Sequence, residues 1–346
     1  MLGHEYAFIN ARVGGMKARL LDSAEIKSLI ESRNFDDALA LLKNTAYGKE
    51  LSKLPSPSLV EIENVFSKSV ARDCEKLVIS VSGASKKFLT HYTKKFEIDA
   101  IKLLLIMKGR GEEIKKYPWI LQRITSMPVA EKLVEIGTPE EVVEMLRSTK
   151  YYPALQKAVS EYNERGEVYP FIAALDIYHY GALNKVIKKE MSAKDRKFVD
   201  RLIGLEIDAK NLLTVLRIRG IDEEQATNWL IPVRYKLTDS DLRAAFNVRA
   251  LTELTQIIER YSGIISTGIR GQEKTQSLFA LEQEFRKYIL KANNRLFSGD
   301  RFHMGVPLAY LNLKENEVRN LTAILHGKEK GMDTSKIEET TILLNS

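Results

Sequence analysis

Apolar residues recur along this chain three and four positions apart, with charged residues between them, over several long segments. Residues 62–81, 173–189 and 278–296 are the clearest examples. This spacing places the apolar side chains on one face of a helix. No segment alternates apolar and polar residues as a half-buried strand does, and the Asn-Gly and Asp-Gly pairs of tight hairpins are absent. The pattern therefore predicts an all-α protein.

One helical segment occurs three times at a constant interval. Its copies span residues 97–108, 206–217 and 315–326, and each begins with a glutamate. Corresponding positions in successive copies lie 109 residues apart. Ordinary solenoid repeats run to about 20–45 residues, so a unit of this length is instead the size of a small domain.

Each copy carries the features of a complete helix. Acidic residues at its front are expected to compensate the positive end of the helix dipole, and basic residues with glycine at its back are expected to form a cap. The acidic residues are Glu97, Asp99, Glu206, Asp208, Glu315 and Glu317. The basic residues are Lys108, Arg110, Arg217, Arg219, His326 and Lys328. The expected capping glycines are Gly109, Gly111, Gly220 and Gly327.

A second, shorter pattern also recurs, in the same order. Residues 41–47 resemble residues 145–151, and residues 256–261 match them more faintly. Together the two patterns predict three similar helical domains, near residues 1–118, 119–228 and 229–346. The third copy of the helical segment has lost the Ile-Asp-Ala core, so we expect the third domain to be the least equivalent. The polar tail from residue 333 either packs back on the first domain or frays.

Composition narrows the class of protein. The chain has 346 residues, of which 44% are hydrophobic, and no unbroken apolar run approaches the roughly 20 residues of a membrane span. A single cysteine, Cys74, excludes an intramolecular disulfide and is expected in the core. The first residues lack the basic-then-apolar pattern of a signal peptide. The net charge of +7 suits nucleic acid, an anionic membrane surface or an acidic protein.

No motif in the sequence carries chemistry. There is no phosphate-binding glycine loop, no His-Glu-x-x-His and no Cys-x-x-Cys, and the five histidines are scattered. A nucleophilic pair of Cys74 and His91 is conceivable, but Cys74 lies within a helical pattern and no oxyanion motif is visible. We therefore expect no catalysis, no metal, no cofactor and no small-molecule substrate.

Three segments resemble a known family. Residues 5–13, Glu-Tyr-Ala-Phe-Ile-Asn-Ala-Arg-Val, are similar to the N-terminal signature of the C subunits of A/V-type rotary ATPases, whose counterpart in the eukaryotic vacuolar enzyme is the d subunit. Residues 41–48 resemble a second family block, Leu-Leu-x-x-Thr-x-Tyr-Gly, and residues 206–212 a third, Glu-x-Asp-x-x-Asn-Leu. With the repeats, the resemblance covers nearly the whole chain.

The resemblance implies a funnel of three helical domains about a pseudo-threefold axis. Members of this family belong to the rotor, where they receive the axle (central shaft) subunits and rest on the membrane proteolipid ring. They transmit torque between ATP synthesis or hydrolysis and ion transport. The resemblance also implies a peripheral position on the cytoplasmic side of the membrane. The alternative is a basic helical-repeat scaffold that binds nucleic acid, but we find no stripe of aromatic residues interleaved with Arg and Lys.

The basic helix ends are the candidate partner-binding residues. If a pseudo-threefold axis relates the units, Lys108, Arg110, Arg217, Arg219, His326 and Lys328 form a ring of positive charge that faces the axle, the proteolipid loops or lipid headgroups. The alternative is that these residues complement the helix dipole, for about 0.3–1 kcal/mol each.

Overall fold

The structure is a computed structural model that describes residues 2–113, 120, 136–218, 221–248, 251–254, 257, 261 and 278–344. The extended regular elements in these ranges are all helices, so the all-α prediction is confirmed. Within the same ranges, no helix combines the length and apolar character that a membrane span requires.

Fifteen α-helices are described. The first eight are α1 (Leu2–Lys17), α2 (Ser23–Glu31), α3 (Phe35–Leu42), α4 (Gly48–Leu51), α5 (Leu59–Val78), α6 (Gly83–Gly109), α7 (Pro139–Met145) and α8 (Tyr152–Arg165). The others are α9 (Tyr169–Glu190), α10 (Ala193–Arg217), α11 (Glu223–Asn228), α12 (Asp239–Phe246), α13 (Leu278–Asn294), α14 (Gly305–Glu329) and α15 (Thr334–Thr340). Short 3-10 helices occupy Leu146–Ser148, Leu251–Leu254 and Arg295–Phe297.

The chain divides into two compact units that interleave in sequence. The first contains the described parts of Met1–Lys86, Lys115–Arg123 and Asn293–Ser346. The second contains the described parts of Lys87–Ile114 and Ile124–Ala292. The three-domain division at residues 118 and 228 stays a prediction.

Helix α14 lies at the centre of the first unit. It contacts α1, α2, α3, α5 and α15, and its residues from Gly305 to Leu313 are all buried. A helix that is buried all round belongs to a core rather than to a surface. Its Tyr310 hydroxyl donates to the Asp73 carboxylate of α5 at 2.6 Å. Cys74, beside that aspartate, is buried as expected.

The tail packs against the first unit. The Ser23 hydroxyl at the start of α2 donates to the Leu344 carbonyl at 2.6 Å. Ile337 of α15 is buried beneath Gly327 of α14, where an added Cβ would lie 2.6 Å from the Ile337 side chain. Of the two alternatives for the tail, packing back is therefore the correct one for residues 333–344.

The second unit is built from antiparallel helix pairs. Helix α8 packs along α9, and α10 packs against both α9 and α12. Gly166 adopts a left-handed conformation, with φ of 71°, and so reverses the chain between α8 and α9. One hydrophobic cluster in the core of this unit consists of Ala173, Ile218, Ala226 and Trp229.

The three recurrent segments are the later halves of longer helices, which corrects the predicted helix starts. Helices α6, α10 and α14 begin at Gly83, Ala193 and Gly305, well before the glutamates. The repeated acids therefore lie in mid-helix, and the prediction that they compensate the dipole of a first turn is wrong.

The prediction of a capping role was also wrong for two of the glycines. Gly327 lies inside α14, and the left-handed residue that follows this helix is Gly331, with φ of 62°. Gly109 ends α6 but serves packing, because an added Cβ would lie 2.6 Å from the Val168 side chain. Gly111 has the expected left-handed φ of 69°. Gly220 lies outside the described residues.

Candidate functional site: acid–tyrosine junctions and basic helix ends

Asp208, in the middle of α10, is fully buried and accepts four hydrogen bonds. The backbone N–H groups of Tyr235, Lys236 and Leu237 donate to it at 3.1, 2.6 and 3.0 Å. The Tyr261 hydroxyl donates at 2.5 Å. Burial, and then the Asp208 carboxylate, raises the pKa of Tyr261 far above its usual value, so the phenol keeps its proton. We call this arrangement an acid–tyrosine junction.

Glu317, in the middle of α14, forms the corresponding junction 109 residues later. It accepts from the Tyr47 hydroxyl at 2.6 Å and from the Leu21 backbone N–H at 2.7 Å. The Lys314 ammonium donates to the same carboxylate at 2.8 Å and to the Tyr47 oxygen at 2.7 Å. Burial and the neighbouring Glu317 raise the pKa of Tyr47. The buried charges are thus paired and hydrogen-bonded, as burial requires.

The junction on α6 uses a different acid. The Tyr151 hydroxyl donates to Glu97 at 2.9 Å, whereas Asp99, the sequence counterpart of Asp208, lies 3.5 Å from the Lys102 ammonium. Burial, and then the Glu97 charge, raises the pKa of Tyr151. A tyrosine-to-carboxylate hydrogen bond is therefore present on this helix too, but its acid lies two positions earlier in the repeat.

The two recurrent sequence patterns meet in these junctions. Tyr151 and Tyr261 follow their acids by 54 and 53 positions, while Tyr47 precedes Glu317 by 270 positions. Each helix thus contacts the tyrosine of the next block, and the last helix returns to the first. The threonine of the pattern shapes the turn: Thr149 donates to the Leu146 carbonyl at 2.7 Å, and Thr45 does the same to Leu42.

A repeated asparagine holds an extended segment beside two of the junctions. The Asn211 side chain accepts from the Ile231 N–H at 2.8 Å and donates to the Ile231 carbonyl at 3.1 Å. The Asn320 side chain makes the same pair of bonds with Ile342, at 3.0 and 2.9 Å. This two-point contact requires both ends of an amide and explains the asparagine of the repeat.

A buried ion network lies on the α6, α9 and α10 helices of the second unit. Asp176 accepts from Lys102 at 2.5 Å and lies 3.3 Å from the Lys210 ammonium. Burial alone raises the pKa of Asp176, but the two lysines outweigh it and hold that pKa at about 2. The neighbouring His179 is 4% exposed, and burial lowers its pKa to about 3. The histidine is therefore neutral at pH 7.

The N-terminal signature joins helix ends within the first unit. Arg12 donates to the Lys76 carbonyl at 3.1 Å and to the Ser80 hydroxyl at 2.7 Å, at the end of α5. Glu5 accepts from the Ser82 backbone N–H at 2.9 Å, at the start of α6. The Asn10 amide donates to the Arg301 carbonyl at 2.6 Å. These signature residues therefore fix how the chain enters and leaves its helices.

The six predicted partner-binding residues lie in different environments. Arg110 is 71% exposed and lies 3.9 Å from Glu112, while Arg217 is 44% exposed and pairs with Glu282 at 2.7 Å. Lys108 is buried. His326 and Lys328 have partners in the first unit: the Glu63 carboxylate lies 2.9 Å from the His326 ring, and the Lys328 ammonium donates to the Ser32 carbonyl. Arg219 lies outside the described residues.

This arrangement supports packing rather than bond chemistry. The acids of the junctions accept hydrogen bonds from backbone, phenol and ammonium donors within the fold. Across the described ranges, no three His, Cys, Asp or Glu side chains are placed to hold a metal ion. Sequence reasoning missed the three tyrosines as partners of the acids, although their recurrence at nearly equal intervals was the available signal.

Comparisons with known proteins cover almost the entire chain. The family described as ATP synthase (C/AC39) subunit matches residues 9–340. The C subunit of the A-type ATP synthase of Methanocaldococcus jannaschii is 29% identical over 98% of this chain and 86% of its own length. The protein of the same name from Archaeoglobus fulgidus is 28% identical over 98% of this chain and 96% of its own length. That from Desulfurococcus is 27% identical over 96% and 90%.

Proposed function

The chain belongs to the ATP synthase (C/AC39) subunit family, and from this premise we propose that it is the rotor component that joins the axle to the membrane proteolipid ring. The family consists of non-catalytic subunits of the ATP synthase complex, so the prediction of a non-catalytic subunit is confirmed. In the proposed role the chain transmits torque between ATP synthesis or hydrolysis and ion transport. It lies peripherally on the cytoplasmic side of the membrane.

The family match along residues 9–340 carries this proposal, and the packing supports it. A coupler must resist twisting, and buried, fully occupied polar networks rigidify the elements that they join. The junctions at Asp208 and Glu317 connect the middle of a helix to distant backbone. The acid lies where the helix cannot fray, so the contact ties rigid segments together.

The proposed arrangement is a funnel of three domains, near residues 1–118, 119–228 and 229–346, about a pseudo-threefold axis. The order of the junctions supports it, since Glu97 and Asp208 contact the tyrosine of the next block and Glu317 returns to Tyr47. Head-to-tail contacts that return to the first member are those of a closed ring.

Among the predicted partner-binding residues, the proposal now rests on Arg110 and Arg217, which expose their side chains. His326 and Lys328 are engaged within the first unit, so their role in the ring of charge is the weaker part of the proposal.

Reconstitution tests the function. A complex assembled without this chain should hydrolyse ATP but fail to move ions, and addition of the purified chain should restore ATP-driven ion transport. In a pull-down, the tagged chain should recover axle subunits and proteolipid together. Ion transport that is unchanged without the chain, or recovery of neither partner, would refute the proposal. Steeply salt-dependent binding of an oligonucleotide would instead favour the nucleic-acid scaffold.

A further inference from the structure

The turn between α9 and α10 concentrates positive charge. The segment Lys185–Arg201, which we call the basic hairpin, contains seven basic and three acidic residues. Its net charge of +4 is more than half of the +7 of the whole chain. None of the six predicted partner-binding residues lies in it, and the acid–tyrosine junctions do not use it.

The turn itself is fixed by its own hydrogen bonds. The Ser192 hydroxyl accepts from the Asp195 N–H at 3.1 Å and donates to the Asp195 carboxylate at 2.7 Å, which caps the start of α10. Arg196 donates to the Met191 carbonyl at 3.2 Å. Met191 is buried in the turn. The cations around this turn are therefore held on a rigid frame.

The acids of the basic hairpin add little negative charge to its surface. Glu190 is exposed but ion-paired with Lys87. Asp195 is 4% exposed and occupied by the cap. Burial raises the pKa of Asp200, and the nearby charges of Arg196 and Lys188 oppose that rise. The net charge that the basic hairpin exposes to solvent is therefore positive.

The exposed cations form one stripe on each helix of the hairpin. On α9 they are Lys185, Lys188 and Lys189, and on α10 they are Lys194, Lys197 and Arg201. Spacings of three, four and seven positions keep each set on one helix face. The buried residues Ile187 and Val199 lie on the opposite faces of these helices.

The helix dipole accounts for only two of these six cations. Lys188 and Lys189 lie in the last turn of α9, where cations complement the negative end of the helix dipole. Lys194 and Lys197 lie in the opening turns of α10, near the positive end, where a cation is disfavoured. The helix dipole therefore does not account for the cations at these two positions.

The composition of the surface indicates the partner. Between Gly181 and Ile203 no large apolar side chain is exposed and five of the six exposed cations are lysines, whereas protein interfaces depend on aromatic anchors such as Trp and Tyr. Lysine is a strongly hydrated point charge on a flexible stem, and lysine clusters are attracted to anionic lipid surfaces without precise geometry. We propose that the basic hairpin binds the anionic headgroups of the membrane lipids. This inference rests on the proposed function, which places the chain at the membrane surface.

Vesicle binding tests this inference with the full chain. The probes are phosphatidylcholine vesicles with about one third phosphatidylglycerol, and pure phosphatidylcholine vesicles as reference. Each cation near an anionic surface contributes roughly a fivefold factor to binding. The hairpin variant Lys185→Gln, Lys189→Gln, Lys194→Gln, Lys197→Gln should therefore bind anionic vesicles roughly several hundredfold more weakly. Replacing the same four lysines by arginine should keep the binding.

A matched control separates the basic hairpin from net charge. Four exposed lysines of the first unit supply it: Lys49→Gln, Lys68→Gln, Lys330→Gln, Lys336→Gln. This control variant loses the same charge and should change vesicle binding less than about fivefold, because all four of its lysines lie outside the basic hairpin. Circular dichroism checks that both variants fold.

The outcomes distinguish the basic hairpin from the proposed function. The lipid inference is overturned if the wild-type chain does not bind anionic vesicles, or if the control variant loses as much binding as the hairpin variant. A hairpin variant that still binds vesicles but no longer joins the complex shows an acidic protein partner instead. A hairpin variant that joins the complex and loses vesicle binding supports the inference. Failure of the wild-type chain to recover axle and proteolipid refutes the proposed function, whatever the vesicles show.

Discussion

Replacing Asp208 by Asn tests whether the acid–tyrosine junction stabilises the second unit. The amide has nearly the shape of the carboxylate, so packing is unchanged. One carboxylate oxygen accepts from Lys236, Leu237 and Tyr261, and the other accepts from Tyr235. In the best orientation the amide oxygen keeps the first three donors, and the amide nitrogen then faces the Tyr235 N–H without an acceptor.

The expected loss follows from these bonds. A hydrogen bond to a charged group contributes about 1.5–3 kcal/mol, and a neutral one about 0.5–1.5 kcal/mol. Asp208→Asn loses the bond from the Tyr235 N–H, for about 1.5–3 kcal/mol, and turns three charged bonds into neutral ones, for about 1 kcal/mol each, which gives about 4.5–6 kcal/mol. Tyr261→Phe removes one donor and leaves three backbone donors on the acid, for about 1–2 kcal/mol. Glu164→Gln, the corresponding acid-to-amide change at an exposed site of the second unit, should cost less than about 1 kcal/mol.

Tryptophan fluorescence during urea unfolding measures these losses. The chain has two tryptophans, and Trp229 is buried in the second unit against Tyr169. A Trp119→Phe background therefore makes the signal report on that unit alone. The midpoint should fall most for Asp208→Asn, less for Tyr261→Phe and least for Glu164→Gln. A loss below about 1 kcal/mol for Asp208→Asn would refute the reasoning, because the four bonds would then contribute little.

Three further predictions concern the rest of the chain. The pKa of His179 is about 6.5 in the unfolded chain and is lowered to about 3 in the folded one, so the free energy of unfolding should fall by about 1.4 kcal/mol per pH unit as the pH drops below 6.5. In urea unfolding between pH 6 and 5, His179→Leu should lack this pH dependence. Gly48→Ala should destabilise by about 2 kcal/mol or more, because its Cβ would lie 1.9 Å from a backbone oxygen, whereas Gly14→Ala in open space should stabilise by about 0.5–1 kcal/mol in thermal unfolding. Lys328→Glu should cost about 1–2 kcal/mol, while Arg110→Glu should stay within about 0.5 kcal/mol; equal losses in urea unfolding would contradict the assignment.

The sequence predicted the helices and the repeated groups, because both leave a period. Apolar spacing identified the helices near residues 62–81 and 278–296, which are α5 and α13. The 109-residue interval identified Asp208 and Glu317 as equivalent, and both form buried junctions. Apolar spacing thus predicted the fold class, and repetition identified the acidic residues of the junctions.

The sequence did not predict what those residues contact. Asp208 binds backbone N–H groups, which every residue type offers, so no motif identifies the partner. A carboxylate in mid-helix also resembles one in a first turn when the preceding helical turns have diverged. The partners of His326 and Lys328 lie 263 and 296 positions away, and such contacts follow from the tertiary fold rather than from local pattern.

The central position of α14 in the first unit has a consequence for biosynthesis. The Leu21 N–H and the Glu317 carboxylate that it binds are separated by 296 positions. At 5–20 residues per second, the ribosome makes α14 roughly 15–60 s after α2 begins to form. During that delay the second unit is synthesised, while the faces of α1, α3 and α5 that will contact α14 lack their partner helix. The nascent chain therefore exposes an aggregation-prone surface, and we expect it to depend on a chaperone until α14 emerges.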